Sequence, residues 1–299
     1  MRLRHILCGA MAQCLMKTSR ARRAARRALS GEVVTPIYFH KPNKKLFAQC
    51  IEWLLANGYT LLTLDELIDI LEKKRPIPKG AAWISLDDGY REWLSDVLPL
   101  VQHFRIPVTL FIPSGIIAGD GRFPWMTGPE DRAGNGQSSS APSRMALTLD
   151  ELKIAARYPG VQIQAHSVTH RLMPNCADAE LRFEIGASKR DLEHWLDTPV
   201  TCFSYPEGRY DGRERDPLRD FGFRMAATTE PRFIDRNTDP MLVPRFCVPD
   251  EVTFAEAVCN MIGIWRPFLD PIKTVLTGRR AITGPSQPGP ETGRAAGRA

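Results

Sequence analysis

Between residues 31 and 270, short runs of β-branched or aromatic residues alternate with stretches of helical periodicity, and no other feature restricts the fold so strongly. Seven strand candidates stand out: Val33–Phe39, Ala82–Leu86, Val108–Ile112, Val161–Ala165, Val200–Ser204, Met225–Thr228 and Leu242–Phe246. Between them lie apolar stripes at helical spacing, one through Leu46, Phe47, Cys50, Ile51, Leu54 and Leu55, another through Leu181, Ile185, Leu192 and Leu196. Two helices open on the same capping box, Thr63-Leu64-Asp65-Glu66 and Thr148-Leu149-Asp150-Glu151, in which threonine hydroxyl and glutamate satisfy each other's backbone amides. Strands that are apolar on both faces need cover on both. The pattern therefore predicts an α/β fold with a mainly parallel sheet under helices, either closed into a barrel or left open.

The net charge of +6 suggests a nucleic-acid partner until the arginines are located. Residues 1–30 hold eight Lys/Arg and no acid, leaving 32 basic against 34 acidic residues in the rest. The near-neutral body carries no nucleic-acid-reading face. In the arm, Arg2 and Arg4 precede an apolar stretch from Ile6 to Met16, as at the start of a secretory signal. Lys17, Arg20, Arg22, Arg23, Arg26 and Arg27 follow at once, without a small-x-small cleavage site, and the stretch is too short to span a bilayer. Three readings stand: a disordered arm, a basic segment in peripheral contact with anionic membrane, and an atypical export signal, with the disordered arm placed first. Seven cysteines without metal or redox spacing fit a reducing compartment. The resulting expectation is a protein in the cytoplasm or at the inner face of a membrane.

Gly119 to Arg144 is rich in Gly, Ser and Pro and lacks periodicity, so a long loop is expected there, and Trp125 within it is a candidate to close over a ligand or to pin the loop. The end of the chain has the composition of a disordered tail. The domain reading is an arm over 1–30, a barrel over 31–270 and a tail over 271–299.

In parallel α/β folds the reactive groups gather where strands end. Asp87 and Asp88 sit at such an end, where they could also cap the helix that follows. A second strand ends in His166-Ser167-Val168-Thr169-His170, whose histidine spacing lets one turn aim both imidazoles at a single point. Asp88, His166 and His170 would make a two-histidine, one-carboxylate set with coordination positions left open, as a catalytic cation requires. Asp87 would lie beside it without ligating, free to take a proton from water.

These residues resemble the polysaccharide deacetylases with the NodB homology domain, carbohydrate esterase family 4. Ser85-Leu86-Asp87-Asp88-Gly89 is similar to the family's first motif, His166-Ser167-Val168-Thr169-His170 to its second, and Phe203-Ser204-Tyr205-Pro206-Glu207-Gly208 to its third, a wall of the groove. The resemblance covers roughly residues 33 to 250. It implies a distorted (β/α)7-like barrel, a divalent cation, usually zinc, and removal of acetyl groups from an N-acetylated sugar glycan. It further implies Asp87 as general base and Asp88, His166 and His170 as metal ligands. Tyr205, Glu207 and Trp125 are the expected substrate or oxyanion contacts, Glu207 through its backbone amide.

Two departures from the family pattern matter. Ser204 stands where the third motif usually has the arginine that orients the base, and Glu207 where it has a tyrosine. Arg245, in "LVPRF", is the expected replacement for the arginine, a surface ion pair being its alternative. The family's C-terminal histidine, its general acid, is also missing, since no histidine follows His194. His40 ends the predicted strand "PIYFH", which resembles the start of the branch with the poly-N-acetylglucosamine deacetylases, where a histidine follows such a strand as if the barrel were circularly permuted. His40 is thus expected to protonate the leaving amine, with a strand-capping role as the alternative. Two rival functions remain: a non-sugar amide or C–N hydrolase on the same barrel, and a non-catalytic glycan-binding domain. Which glycan, which metal and which oligomeric state are not legible in the sequence.

Overall fold

The computed structural model describes residues 3–126 and 145–269. Eight strands form one parallel sheet: β1 (Thr35–Phe39), β2 (Thr60–Leu61), β3 (Ala81–Asp87), β4 (Val108–Ile112), β5 (Val161–Ala165), β6 (Cys202–Ser204), β7 (Met225–Ala227) and β8 (Phe246–Cys247). The order is β7-β6-β5-β4-β3-β1-β8, with β2 added beside β3. Around it run α1 (Leu3–Met16), α2 (Ser19–Ala28), α3 (Lys44–Ala56), α4 (Leu64–Leu71), α5 (Trp93–Asp96), α6 (Leu98–Phe104), α7 (Ser114–Ala118), α8 (Leu149–Ala155), α9 (Asp178–Leu196), α10 (Arg215–Asp220) and α11 (Phe254–Met261). Both expected capping boxes form, at Thr63/Glu66 and Thr148/Glu151, and Thr253/Glu256 adds a third.

The sheet curls until its edges are joined by one short stretch of chain. Val243 exchanges hydrogen bonds with β7, donating to the Ala226 carbonyl and accepting from the Thr228 amide, while Phe246 and Cys247 pair with Ile37 and Tyr38 of β1. Strand alternation then decides what lies inside. Trp83, Ser85 and Asp87 occupy one face of β3, and Ala82, Ile84 and Leu86 the other. The second set joins the large core beneath the helices; Trp83 packs with Phe111, Cys202, Met225, Ala227 and α4 in a separate cluster that fills the barrel interior. Asp87 is therefore the last inward position of β3.

Two of the strands that run shorter than their apolar patterns do so for a visible local reason. Val200 and Thr201 fall outside β6 because the Gln164 side-chain oxygen accepts the amides of Thr201 (2.9 Å) and Cys202 (2.7 Å), standing in for a ladder carbonyl. The expected Leu242–Phe246 strand is divided between a 3-10 turn at Pro240–Leu242 and β8, because Pro244 lacks an amide to donate.

Residues 3–30 of the N-terminal arm are folded as helices and turns, against the expectation of a disordered arm. Among them, α1 and α2 are helices, and Ala12 and Leu15 of α1 are buried with Ala255, Cys259, Ile262 and Trp265. Thr18 caps α2 by accepting the Ala21 amide at 3.3 Å, and Ala21 and Ala28 are buried. The apolar stretch finds its cover on α11, more than two hundred residues away, which local charge and periodicity do not reveal. Of the Gly119–Arg144 segment, residues 127–144 lie outside the described residues, as does the 271–299 tail.

Candidate active site

Three ligand-type atoms converge where β3 and β5 end. His166 Nε2 and His170 Nε2 each lie 3.4 Å from Asp88 Oδ1, and one atom from each residue falls within 4.8 Å of the others. Atoms bound at about 2.0–2.1 Å around one tetrahedral cation are about 3.4 Å apart. Asp88 Oδ1 is buried and makes no hydrogen bond, a costly condition for a carboxylate oxygen unless a cation completes it. His166 Nδ1 lies 2.7 Å from the Ser204 carbonyl, which only accepts, so Nδ1 carries the proton and Nε2 presents its lone pair toward Asp88. The set fits a divalent cation. Burial alone would raise the Asp88 pKa, but hydrogen bonds from the two imidazoles, when their Nε2 atoms carry a proton, outweigh it and hold the carboxyl well below its ordinary range.

The backbone at the ligands is strained. Asp88, Ser167 and His170 have φ of +86°, +63° and +59°, where only glycine is comfortable. Ser167 Oγ accepts the His170 amide at 2.9 Å. Glu184, buried on α9, accepts the amides of Val168 (2.8 Å) and Thr169 (2.9 Å) and the Thr169 hydroxyl (2.6 Å). One carboxylate thus clamps the whole loop between the two histidines.

Asp87 meets Arg245 in a fully buried two-pronged ion pair, Nη1 to Oδ1 and Nη2 to Oδ2, both 2.7 Å. The guanidinium also donates to Ser85 Oγ (3.0 Å), Ser204 Oγ (2.8 Å) and the Thr228 carbonyl (3.0 Å), and sits over the rings of Tyr38 and Phe111 at 4.4 and 5.2 Å. All five donors of Arg are accounted for in direction by this cage, which a lysine could not fill. Ser204 is one of its walls, so the residue found in place of the third-motif arginine now touches the arginine from elsewhere. Burial pushes Asp87 toward the neutral form, yet Arg245 above all, with His166, keeps it ionised.

His40 follows β1 directly, and Phe39 pairs with Leu86, so His40 stands beside Asp87 at the ends of neighbouring strands. Its ring lies edge-on to Tyr38 at 5.3 Å and its carbonyl accepts from Trp93 Nε1 at 2.7 Å. Trp125 is 40 % exposed, with its ring 4.3 Å from His170 and stacked on buried Phe123 at 4.9 Å. Together with Thr169, His170, Arg171 and Glu207 it lines an open groove of about 570 Å³. Glu207 itself has φ +53° in the 3-10 turn Pro206–Gly208.

Tyr205 requires correction as a groove contact. Its side chain is 1 % exposed, its hydroxyl donates to the Met241 carbonyl at 3.1 Å and its amide donates to Ala227 at 3.0 Å. Alternation along the chain carries it into the core next to Phe203 and Tyr210. Glu184, Ser85 and Tyr38 are site-forming residues that sequence reasoning missed; Ser85 alone had a signal, as the inward residue two before Asp87.

The family model described as polysaccharide deacetylase matches residues 74–226, just over half of the chain. A putative polysaccharide deacetylase of Bacillus subtilis, YxkH, is 25 % identical over 65 % of this chain and 61 % of its own length. Poly-beta-1,6-N-acetyl-D-glucosamine N-deacetylase of Staphylococcus aureus is 21 % identical, covering 72 % of this chain and 73 % of that protein. Its Escherichia coli namesake is 22 % identical over 60 % of this chain, which spans only 29 % of that relative. Among solved structures, IcaB from Ammonifex degensii superposes with a TM-score of 0.64 at 17 % identity, covering 78 % of this chain and 98 % of that one. The Streptococcus pyogenes deacetylase PplD, in complex with acetate, gives 0.63 at 17 % identity, covering 77 % and 98 %. The barrel is thus shared with these structures, and the chain belongs to the polysaccharide deacetylase family.

Proposed function

We propose that this protein is a divalent-cation-dependent hydrolase that removes acetyl groups from an N-acetylated hexosamine glycan. One observation carries the reading: an ionised carboxylate, Asp87, is gripped by buried Arg245 immediately beside the Asp88, His166 and His170 ligand set. Asp88, His166 and His170 would hold a divalent cation, zinc by the nature of the donors, which would supply Lewis acidity to water and to the acetyl carbonyl. Asp87 accepts the proton that water loses as its oxygen attacks the carbonyl carbon. Arg245 fixes both carboxylate oxygens, so the base needs no reorientation when the proton arrives. His40 gives a proton to the nitrogen as the C–N bond breaks, and the products are acetate and a free amine. Trp125, partly exposed beside the ligands, lines the groove where a sugar ring can lie against it, and Glu207 borders the same groove.

The relatives named for poly-β-1,6-N-acetylglucosamine support a β-1,6-linked glycan as the first substrate to assay. The test is acetate release by zinc-loaded protein from β-1,6- and β-1,4-linked N-acetylglucosamine oligomers, alongside small acyl amides. Turnover of the oligomers supports the reading. Turnover confined to the small amides would replace it with a non-sugar amide hydrolase, and stoichiometric zinc without any hydrolysis would leave a glycan-binding domain.

A further inference from the structure

α1 is apolar on more than one side, yet only one side is covered. Ala12 and Leu15 are buried against α11 and the turn after it. The Cys259 thiol lies 3.5 Å from the Ala12 carbonyl, and a Cβ on Gly9 would meet Thr253 at 3.3 Å, so the helices are closely packed there. On the outside, Ile6, Leu7 and Met11 remain 51 %, 55 % and 37 % exposed, with Ala10 and Cys14 exposed between them. Leu7, Met11 and Cys14 fall at i, i+4 and i+7, and Ile6 and Ala10 form the row beside them, so the residues make a continuous stripe. An uncovered stripe of this kind marks an interface.

α2 supplies the second half. Lys17, Arg20, Arg22, Arg23 and Arg26 are exposed, no acid occurs in residues 1–30, and among the described residues these cations have no carboxylate partner. Its small apolar residues Ala21 and Ala28 face inward, so the charge is all on the solvent side.

An apolar helical stripe followed within a turn by an unneutralised cationic helix matches the two layers of an anionic bilayer surface, the acyl boundary and the headgroup phosphates. We propose that α1 and α2 dock the protein on an anionic lipid surface, with Ile6, Leu7 and Met11 at the acyl boundary and the α2 arginines among the headgroups. No described helix is long and apolar enough to cross a membrane, so the contact is in the plane. A nucleic acid gives the stripe nothing to bury, and a second copy would bring like charges together.

The docking has a direction. Gly9 adjoins Thr253 and Ala12 adjoins Cys259, so α1 runs the same way as α11. The loop entering α11 carries Asp250, which accepts the Lys41 amide at 2.8 Å next to His40. Ile6 and Leu7 therefore lie toward the end of the barrel where the ligand set opens, while α2, with Leu29 against Gly80 before the start of β3, lies toward the other end, so docking through both lays the barrel along the membrane.

The experiment is co-sedimentation of the full chain with neutral phosphatidylcholine vesicles and with vesicles containing about 30 % phosphatidylglycerol, at low and high salt. The expected result is binding at least about tenfold tighter to the anionic vesicles, weakened by salt at about fivefold per lost cation contact. Arg22→Glu/Arg23→Glu/Arg26→Glu should cut it at least about tenfold, and Ile6→Ser/Leu7→Ser/Met11→Ser should weaken it with an unchanged thermal midpoint, these side chains being exposed. Equal affinity for both vesicle types, no binding to either, or unchanged binding by both variants would overturn the proposal. So would tighter binding to duplex DNA than to anionic vesicles, or a solution dimer that the serine variant dissociates. The readout is lipid binding and does not depend on hydrolysis, so its failure leaves the hydrolase reading untouched.

Discussion

Arg245 and Asp87 stand 158 residues apart in sequence and 2.7 Å apart at both prongs of a fully buried ion pair. The pairing is possible because Arg245 lies on the stretch that joins β7 to β1, so its side chain enters the barrel opposite the last inward residue of β3.

Removing one partner should be worse than removing both. Arg245→Met leaves a buried unpaired carboxylate and should destabilise the fold by about 3–5 kcal/mol, while adding Asp87→Asn should recover part of that loss. Urea unfolding of the two single variants and the double variant measures the coupling. Arg245→Lys cannot reproduce both prongs, so Asp87 loses much of what keeps it ionised, and the acidic limb of the rate profile should move to higher pH.

Asp88→Asn, His166→Ala and His170→Ala should each abolish stoichiometric zinc uptake and reduce turnover by at least about a hundredfold. Zinc binding by the folded state alone should stabilise the wild type by about 2.7 kcal/mol at a free concentration one hundred times Kd. A chelator should remove that increment from the wild type and leave the three variants unmoved in thermal denaturation.

His40→Asn separates acid catalysis from cation binding. Zinc stoichiometry should stay at one, while kcat falls by about 10²–10⁴-fold. A leaving group that needs no proton, such as an activated acetyl ester, should suffer far less from the substitution. Equal losses on amide and ester would assign His40 to the structure of the strand end.

Glu72 carries a pH-dependent part of stability remote from the site. Hydrogen bonds from Arg224, at 2.8 and 2.7 Å, and then from Lys74 lower its pKa from 4.5 to about 2. A folded pKa below the unfolded one means the contribution is present above about pH 4.5 and is lost as pH falls toward about 2. The pair is partly solvated, so Glu72→Gln should cost no more than about 1 kcal/mol near neutrality. Denaturant midpoints of wild type and variant should converge as pH drops through that window.

The alternation of strands and helices, the capping boxes and the ligand spacing were legible because each is local: a run, a box of four residues, a histidine pair on one turn. Arg245 was legible in part, because the missing arginine at Ser204 left a role to fill and only position could nominate a replacement. The order of α1 and α2 was not legible, since burial of Ala12 and Leu15 depends on α11 arriving from the other end of the chain. Tyr205 misled for a related reason. A motif fixes which residues occur near a groove, but the pleat and the Met241 carbonyl decide which way each side chain turns.

Glu184 left no local trace, because its three partners sit 15 and 16 residues earlier on a loop whose shape only the fold defines. Its carboxylate is the counterweight to positive φ at Ser167 and His170, each worth about 1–3 kcal/mol of strain. Glu184→Leu leaves the Val168 and Thr169 amides and the Thr169 hydroxyl without their acceptor, and the loop should relax away from the strained geometry that aims His170 at Asp88. The expected result is a loss of about 10–100-fold in zinc affinity, read by competition with a chromophoric chelator. At saturating zinc kcat should recover most of its value, since Asp87, Arg245 and His40 are untouched. Glu184→Asp, which keeps an acceptor on a shorter arm, should fall between the two. A Glu184→Leu protein that unfolds at lower denaturant but binds zinc with wild-type affinity would show that the carboxylate supports α9 and not the ligands.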